Sequence, residues 1–291
     1  MRMLSFDDRS APFIEVFKRT AAQGGYALEM LGPGAEEPGD FTRLKSAYRH
    51  MSPNTAAFEL ASFRRWFELA PLVAPDERVI HADSDLVIFT PWSEMPGEIS
   101  EARGLVGSIG VTNQRQEEQI NAGFSSWTGS LLASFCSFVV TFYETRANEL
   151  ADIYARQLHH QPVASISDMT LLYMWMTEQG VPFVNTNRIL LSPDGSPVYI
   201  DHNIVMSEAQ GVRFRMSMGR KSMEFHDRRA FFLSEEGRRI GVASAHLTGR
   251  NKILAGKVAQ GDRVGIAVGS AYLHAGRAAR AAIRSVYRGG R

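Results

Sequence analysis

The stretch Arg78-Val-Ile-His-Ala-Asp-Ser-Asp-Leu-Val-Ile-Phe89 decides how the rest of the chain reads. Val79 and Ile80, then Leu86 to Phe89, have the character of buried strand segments, and Asp83-Ser84-Asp85 interrupts them. Alternate residues of an extended chain point the same way, so Asp83 and Asp85 can face one small object. Two crowded carboxylates repel unless a cation separates them. A hard divalent ion, Mn²⁺ or Mg²⁺, carrying the phosphates of a nucleotide is the natural choice. Asp-X-Asp also occurs in solvated turns, but such turns seldom sit between two strongly apolar runs.

Outward from this point the chain alternates strands and helices, the pattern of an α/β domain. Met3 to Phe6 predicts a first strand ending at Asp7 and Asp8. Ser10 then caps a helix that carries Pro12 in its first turn, and Tyr26 to Leu31 forms a second strand. Helices are expected over Asp40 to His50 and Thr55 to Ala70, the latter delivering the chain into the Asp83 strand. Gly104 to Gly110 predicts a central strand whose glycines admit close backbone approach by a neighbour or a ligand. Ile120 to Ser125 follows as a short strand with a glycine turn. One long apolar helix spans Leu131 to Ala147, and another opens near Ser167 or Asp168. Phe183 to Leu190 and Val198 to Ile204 read as strands, Gly211 to Arg239 resists assignment, and Ile240 to Lys252 is a strand followed by a glycine turn.

Composition sets bounds. With 291 residues, 44% hydrophobic and 22% charged, the chain has the make-up of a soluble globular protein with a full core. Its one cysteine, Cys136, excludes an intrachain disulfide framework, suits a reducing cytosol and falls in the apolar helix as core. No signal peptide or membrane span is expected. Net charge is +1, yet Leu247 to Arg291 holds nine Lys or Arg against one acid, Asp262. That tail implies an anionic partner: phosphate, an acidic lipid surface or nucleic acid. The body lacks the basic, aromatic-interleaved surface of a nucleic-acid binder, so nucleic acid is the partner not expected.

Four separated pieces together resemble the nucleotide-sugar glycosyltransferases of GT-A fold, in particular the retaining family of glycogenin and the bacterial lipopolysaccharide galactosyl- and glucosyltransferases. Asp83-Ser84-Asp85 is similar to the family's metal-binding Asp-X-Asp. His246-Leu-Thr-Gly249-Arg-Asn-Lys252 is similar to its His-X-X-Gly-X-X-Lys signature. The resemblance makes His246 a third metal ligand and brings Gly249 and Lys252 to the diphosphate. Asn121-Ala-Gly123-Phe resembles the Asn-Ala-Gly segment beside the donor sugar, and Ser62-Phe-Arg-Arg65-Trp falls where the family carries a donor-contacting arginine. Arg65 matches better by spacing, with Arg64 the alternative. Asp168 stands at the family's Asp-Gln pair, with Met169 in place of Gln. It could orient the donor in a retaining reaction, act as general base in an inverting one, or simply cap its helix.

The resemblance thus implies a single GT-A-like (Rossmann-like) α/β domain over residues 1–255, with a mixed central sheet, and a basic helical C-terminal extension over 256–291. It implies a hexosyltransferase using Mn²⁺ or Mg²⁺ to move a sugar from a nucleotide-diphosphate donor, UDP-sugar favoured, to a saccharide or lipid-linked acceptor. Retention is favoured over inversion. Asp83, Asp85 and His246 are the expected metal ligands. Asp168, Asn121 and Arg65 are the expected catalytic residues. Phe6, Asp7, Asp8, Arg65, Ser84, Gly123, Gly249 and Lys252 are expected around the nucleotide. The expected location is cytoplasmic, with the basic tail available for peripheral contact at the inner face of a membrane. Two alternatives carry different chemistry: a nucleotidyltransferase that makes a nucleotide-sugar, and a non-catalytic nucleotide- or sugar-binding protein.

Overall fold

In the computed structural model, described for residues 1–7, 9–34, 36–109, 118–160, 164–227 and 229–274, the chain packs as two compact units. The first comprises 1–9, 27–83 and 97–187, and the second 10–26, 84–96 and 188–291, so the chain changes unit between Asp83 and Ser84.

A six-stranded sheet organises the first unit, in the order Ala27–Leu31, Arg2–Phe6, Arg78–Ala82, Ile120–Thr128, Leu105–Ile109, Phe183–Asn185. Arg2–Phe6 pairs in parallel with both neighbours, whereas Ile120–Thr128 runs antiparallel to Arg78–Ala82 and to Leu105–Ile109. The result is the mixed central sheet of an α/β fold. Its core is built on aromatic rings from four segments. Trp66 lies 4.9 Å from Trp127, which stacks on Trp175 at 6.0 Å, and Phe135 meets all three. Such rings dominate burial because each removes a large apolar area from water.

Local sequence explains the helices. Ala56–Leu69 starts after Thr55, whose hydroxyl accepts from the Phe58 N–H at 3.3 Å. Gly129–Thr145 begins in the same way at Thr128, with Gly129 in close contact with the chain at Val73 and Ala74. This helix ends at Thr145, close to the expected end at Ala147, and a second one, Ala147–His160, which the sequence reading did not assign, follows. Cys136 is buried in Gly129–Thr145, and burial pushes its thiol pKa up. The expected Ser10 cap is displaced: Ala11 occupies the N-cap of Pro12–Gln23 and gives no side-chain bond. The proline at the first helical position presets its own φ.

Gly104 shows why a glycine is needed near the central strand. A Cβ there would stand 1.9 Å from the Pro182 carbonyl oxygen, so the close approach is by neighbouring backbone. The expected continuous strand from Phe183 to Leu190 is broken. Asn185 Oδ1 accepts from the Ile109 and Asn187 N–H groups, and Asn187 donates to the Ile109 carbonyl. These side-chain bonds replace the ladder and end Phe183–Asn185.

The second unit has its own sheet, Met223–His226, Arg229–Leu233, Arg239–His246, Pro197–Ile200, Leu190–Leu191, with Leu86–Ile88 paired to Arg239–His246. The last pairing sets Leu86 against His246 and lets the Leu247 N–H donate to the Asp85 carbonyl at 3.0 Å. One core gathers Tyr199, Phe214, Phe232, Ile240 and Val242. Another packs Val16 of Pro12–Gln23 with Val87, Leu247, Leu254 and Val258. Residues 211–239 resolve into short antiparallel pairs, including Met216–Ser217 with Arg220–Lys221 around Met218 and Gly219. Both turn residues have positive φ, as a tight hairpin of this kind requires. A helix over 263–274 follows Ala255–Gln260. The end of the expected basic helical extension, from residue 275, lies outside the described residues. Among the described residues no helix is long and apolar enough to cross a membrane.

Candidate active site

In the first unit, Arg78–Ala82 ends with the Asp83 N–H donating to the Gly123 carbonyl at 2.7 Å. The Gly123 N–H in turn donates to Asn121 Oδ1 at 2.8 Å, so Asn121 and Gly123 brace the strand end that carries Asp83. Ala56–Leu69 turns Arg65 towards the same end. Its guanidinium donates to Asp83 Oδ1 at 2.8 Å and to Asp168 Oδ2 at 2.6 Å, and it lies over the Trp66 ring at 4.6 Å. Arg64, one residue earlier, points to Glu68 and the Gly34 carbonyl.

Asp168 is buried beside Ser167, which holds the N-cap position of Asp168–Glu178. Its Oδ2 also accepts from Trp66 Nε1 at 2.9 Å. Burial works against the Arg65 charge, but Asp168 and Asp83 outweigh it and hold the guanidinium above its ordinary pKa. Arg65 is thus a fixed cation between two carboxylates. His81, which the sequence had not singled out, packs on Trp66 at 4.7 Å and meets the Ala122 carbonyl through Nδ1 at 2.9 Å. Burial, reinforced by Arg65, lowers its pKa to about 4.

Of the residues expected around the nucleotide base, Phe6 closes the first strand. Asp7 continues its ladder to the Leu31 carbonyl and is paired with Arg9 at 2.6 Å. Asp8 lies outside the described residues.

The chain re-enters the second unit at buried Ser84 and Asp85. Asp85 Oδ1 is 2.9 Å from His246 Nε2, and Oδ2 is 3.0 Å from Lys252 Nζ. Burial would raise the Asp85 carboxyl pKa, but His246 and Lys252 hold it well below the usual carboxylate range. Gly249, with φ of 58°, opens the short helical turn Gly249–Leu254 that carries Lys252. The Lys252 ammonium also lies 4.9 Å from the centre of the Phe13 ring.

The other ring nitrogen of His246 defines what Nε2 can do. Nδ1 is 2.8 Å from the His202 carbonyl oxygen, which can only accept, so Nδ1 carries the proton. In the neutral ring Nε2 is then a lone pair facing a carboxylate oxygen. Two acceptors at 2.9 Å require a cation between them, either a proton or a metal ion. An imidazole whose far nitrogen is tied to a backbone carbonyl is the usual form of a metal-ligating histidine. The donor set therefore fits a divalent ion.

Sequence reading missed Asp201 and His202, which hold the His246 backbone N–H and ring, and Lys221, which is paired with Asp201. A signal was present: Asp201-His202-Asn203 follows the apolar run Val198 to Ile200, as Asp83-Ser84-Asp85 follows its own strand.

No protein-family model matches this sequence, and no curated protein is found similar to it. Among the solved structures found similar to it are three glycosyltransferases. The galactosyltransferase LgtC, determined with donor and acceptor sugar analogues, has 14% identity over 64% of this chain and 74% of that one, with a TM-score of 0.36. A glycosyltransferase involved in glycosylation of the major capsid of PBCV-1 has 10% identity over 64% and 81%, TM-score 0.33. Mouse xyloside xylosyltransferase 1 has 11% identity over 63% and 83%, TM-score 0.35.

Proposed function

We propose that this chain is a metal-dependent glycosyltransferase that moves a sugar from a nucleotide-diphosphate donor, UDP-sugar favoured, to a saccharide or lipid-linked acceptor. The observation that carries this reading is the buried Asp85 carboxylate held between His246 Nε2 and Lys252 Nζ, with the His246 proton committed to Nδ1. Asp85 and His246 would hold Mn²⁺ or Mg²⁺, and Asp83, two residues earlier along the chain, adds a second carboxylate. The bound ion would supply Lewis-acid stabilisation of the negative charge that develops on a departing diphosphate.

Lys252 contributes a point charge suited to a phosphate oxygen, and Gly249 a backbone that admits one closely. Arg65 holds Asp83 and Asp168 together, so the Asp168 carboxylate is fixed for orienting a donor sugar and for offsetting the positive character of its anomeric carbon. That role favours retention over inversion. Asn121 serves the same region by bracing Gly123. Phe6, Asp7, Asp8 and Ser84 are assigned to the nucleotide side. Residues 1–255 would form the catalytic body, and the basic tail from 256 would meet an anionic membrane surface from the cytoplasmic side.

Thermal unfolding with a panel of nucleoside diphosphates, each with and without Mn²⁺, tests the reading, since ligand that binds only the folded state raises the midpoint. A rise with one nucleotide that requires Mn²⁺ supports it and names the base. No rise with any nucleotide removes it.

A further inference from the structure

Lys221 belongs to the stretch 211–239 that the sequence leaves unassigned, and its side chain is wholly buried, as is that of Asp201. Nζ donates to Asp201 Oδ1 at 2.5 Å and to the Asn203 carbonyl at 2.8 Å. The rings of Tyr199, Phe214 and Phe232 surround the ammonium, with centres 5.3, 5.1 and 5.5 Å away. Desolvating two charges costs about as much as their attraction returns, and apolar residues of similar volume often hold a fold equally well. The pair therefore calls for a role beyond stability.

That role is visible one bond further on. Asp201 Oδ2 accepts from the His246 backbone N–H at 3.1 Å. The carbonyl of the next residue, His202, takes His246 Nδ1, and Asn203 Oδ1 accepts from the Thr248 hydroxyl at 3.0 Å. The Ile204 N–H donates to the His246 carbonyl at 3.1 Å, and the Lys221 N–H to the Ile204 carbonyl at 2.9 Å. Asp201, His202 and Ile204 thus grip the backbone and the ring of His246, Asn203 holds Thr248 two residues on, and Lys221 ties Asp201 and Asn203 together.

We propose that Lys221 is a positioning residue for His246: through Asp201 and the segment 201–204 it holds the imidazole with Nδ1 protonated and Nε2 turned to Asp85. Its effect on a divalent ion rests on reading Asp85 and His246 as metal ligands. Its effect on the ring does not. The positively charged end of Lys221 stays behind the site, where it holds a carboxylate and a carbonyl in place without competing for the ion.

The full-length chain is compared with Lys221→Met and with the double variant Asp201→Leu/Lys221→Met, in which both charges give way to apolar groups and folding is expected to persist. Urea unfolding reports the fold. The ¹⁵N shifts of the His246 ring in metal-free protein, assigned by their loss in His246→Gln, report the tautomer. Paramagnetic resonance of a Mn²⁺ titration reports affinity. The native chain should show Nδ1 protonated throughout, with or without a further proton shared between Nε2 and Asp85; the folded variants should show a population with Nδ1 bare, and Mn²⁺ affinity should fall 10- to 100-fold in them. A folded double variant with an unchanged tautomer overturns the proposal, as does one with the native Mn²⁺ affinity. Native protein that binds no Mn²⁺ yet keeps its Nδ1–H tautomer would instead overturn the metal reading, and the tautomer comparison would still decide the role of Lys221.

Discussion

His246 Nε2 stands 2.9 Å from Asp85 Oδ1, with no proton of its own to place between them in the neutral ring. Protons and a divalent ion should therefore compete for one position. Asp85→Asn weakens both the charge and the ligand, so the Mn²⁺-dependent rise in unfolding midpoint with a nucleoside diphosphate is expected to vanish while the metal-free midpoint shifts by a few degrees. His246→Ala should raise the Mn²⁺ concentration for half effect by at least about tenfold. An unchanged half-effect concentration would demote His246 to a packing residue.

Acid stability offers a second check on Asp85. Its folded-state pKa is depressed, so its contribution to stability is present above the ordinary carboxylate pKa of about 4 and is lost as pH falls towards the folded value. His246 and Lys252 cause the depression against burial. Lys252→Met removes one cause, so the acid-unfolding midpoint should move to higher pH. A midpoint that stays in place would mean that His246 alone sets the carboxylate.

His81 works in the opposite pH range. Burial and then Arg65 lower its pKa from 6.5 to about 4, so the unfolded chain takes up this proton first as pH falls. Stability tied to His81 is therefore full above about pH 6.5 and declines towards pH 4, by about 3 kcal/mol at most. His81→Asn should flatten urea-unfolding free energy across that window. A slope as steep as in the native chain would assign the loss to another group, such as buried His202, whose pKa burial and Lys221 push down to about 3.

Arg65 and Asp168 form the buried ion pair of the first unit, at 2.6 Å. Arg65→Met strands Asp168 with only Trp66 Nε1 and the Met169 N–H as donors, and should destabilise by about 3–5 kcal/mol. Arg65→Lys keeps a charge but cannot fork to Asp83 and Asp168 together, so transfer should fall sharply with a smaller stability loss. Equal stability in native and Met forms would contradict the geometry.

Gly104→Ala places a methyl group against the Pro182 carbonyl and should cost about 1–3 kcal/mol in urea unfolding. Gly39→Ala is the control, since nothing lies within 4 Å of a Cβ there and the residue opens the helix Gly39–Ala47. It should be neutral or slightly stabilising. Equal losses at both positions would refute the steric account.

What the sequence by itself determined is local. The apolar run before Asp83, the threonine before Ala56–Leu69 and the apolar face of Gly129–Thr145 each encode an element within a few residues, because strand and helix periods and end caps act over that range. The motif residues Asp85, His246 and Lys252 were legible for the same reason, as short patterns at fixed spacing. Only the tertiary structure decided which of two adjacent arginines meets Asp168, since the direction in which a helix is turned depends on what packs around it. Only it could reveal that Lys221 is buried against Asp201, twenty residues away in sequence and two hydrogen bonds from His246. A strand of two residues, as at Arg220–Lys221, is too short for any periodic signal, and a buried lysine looks like a surface one until its carboxylate partner and aromatic walls are assembled around it.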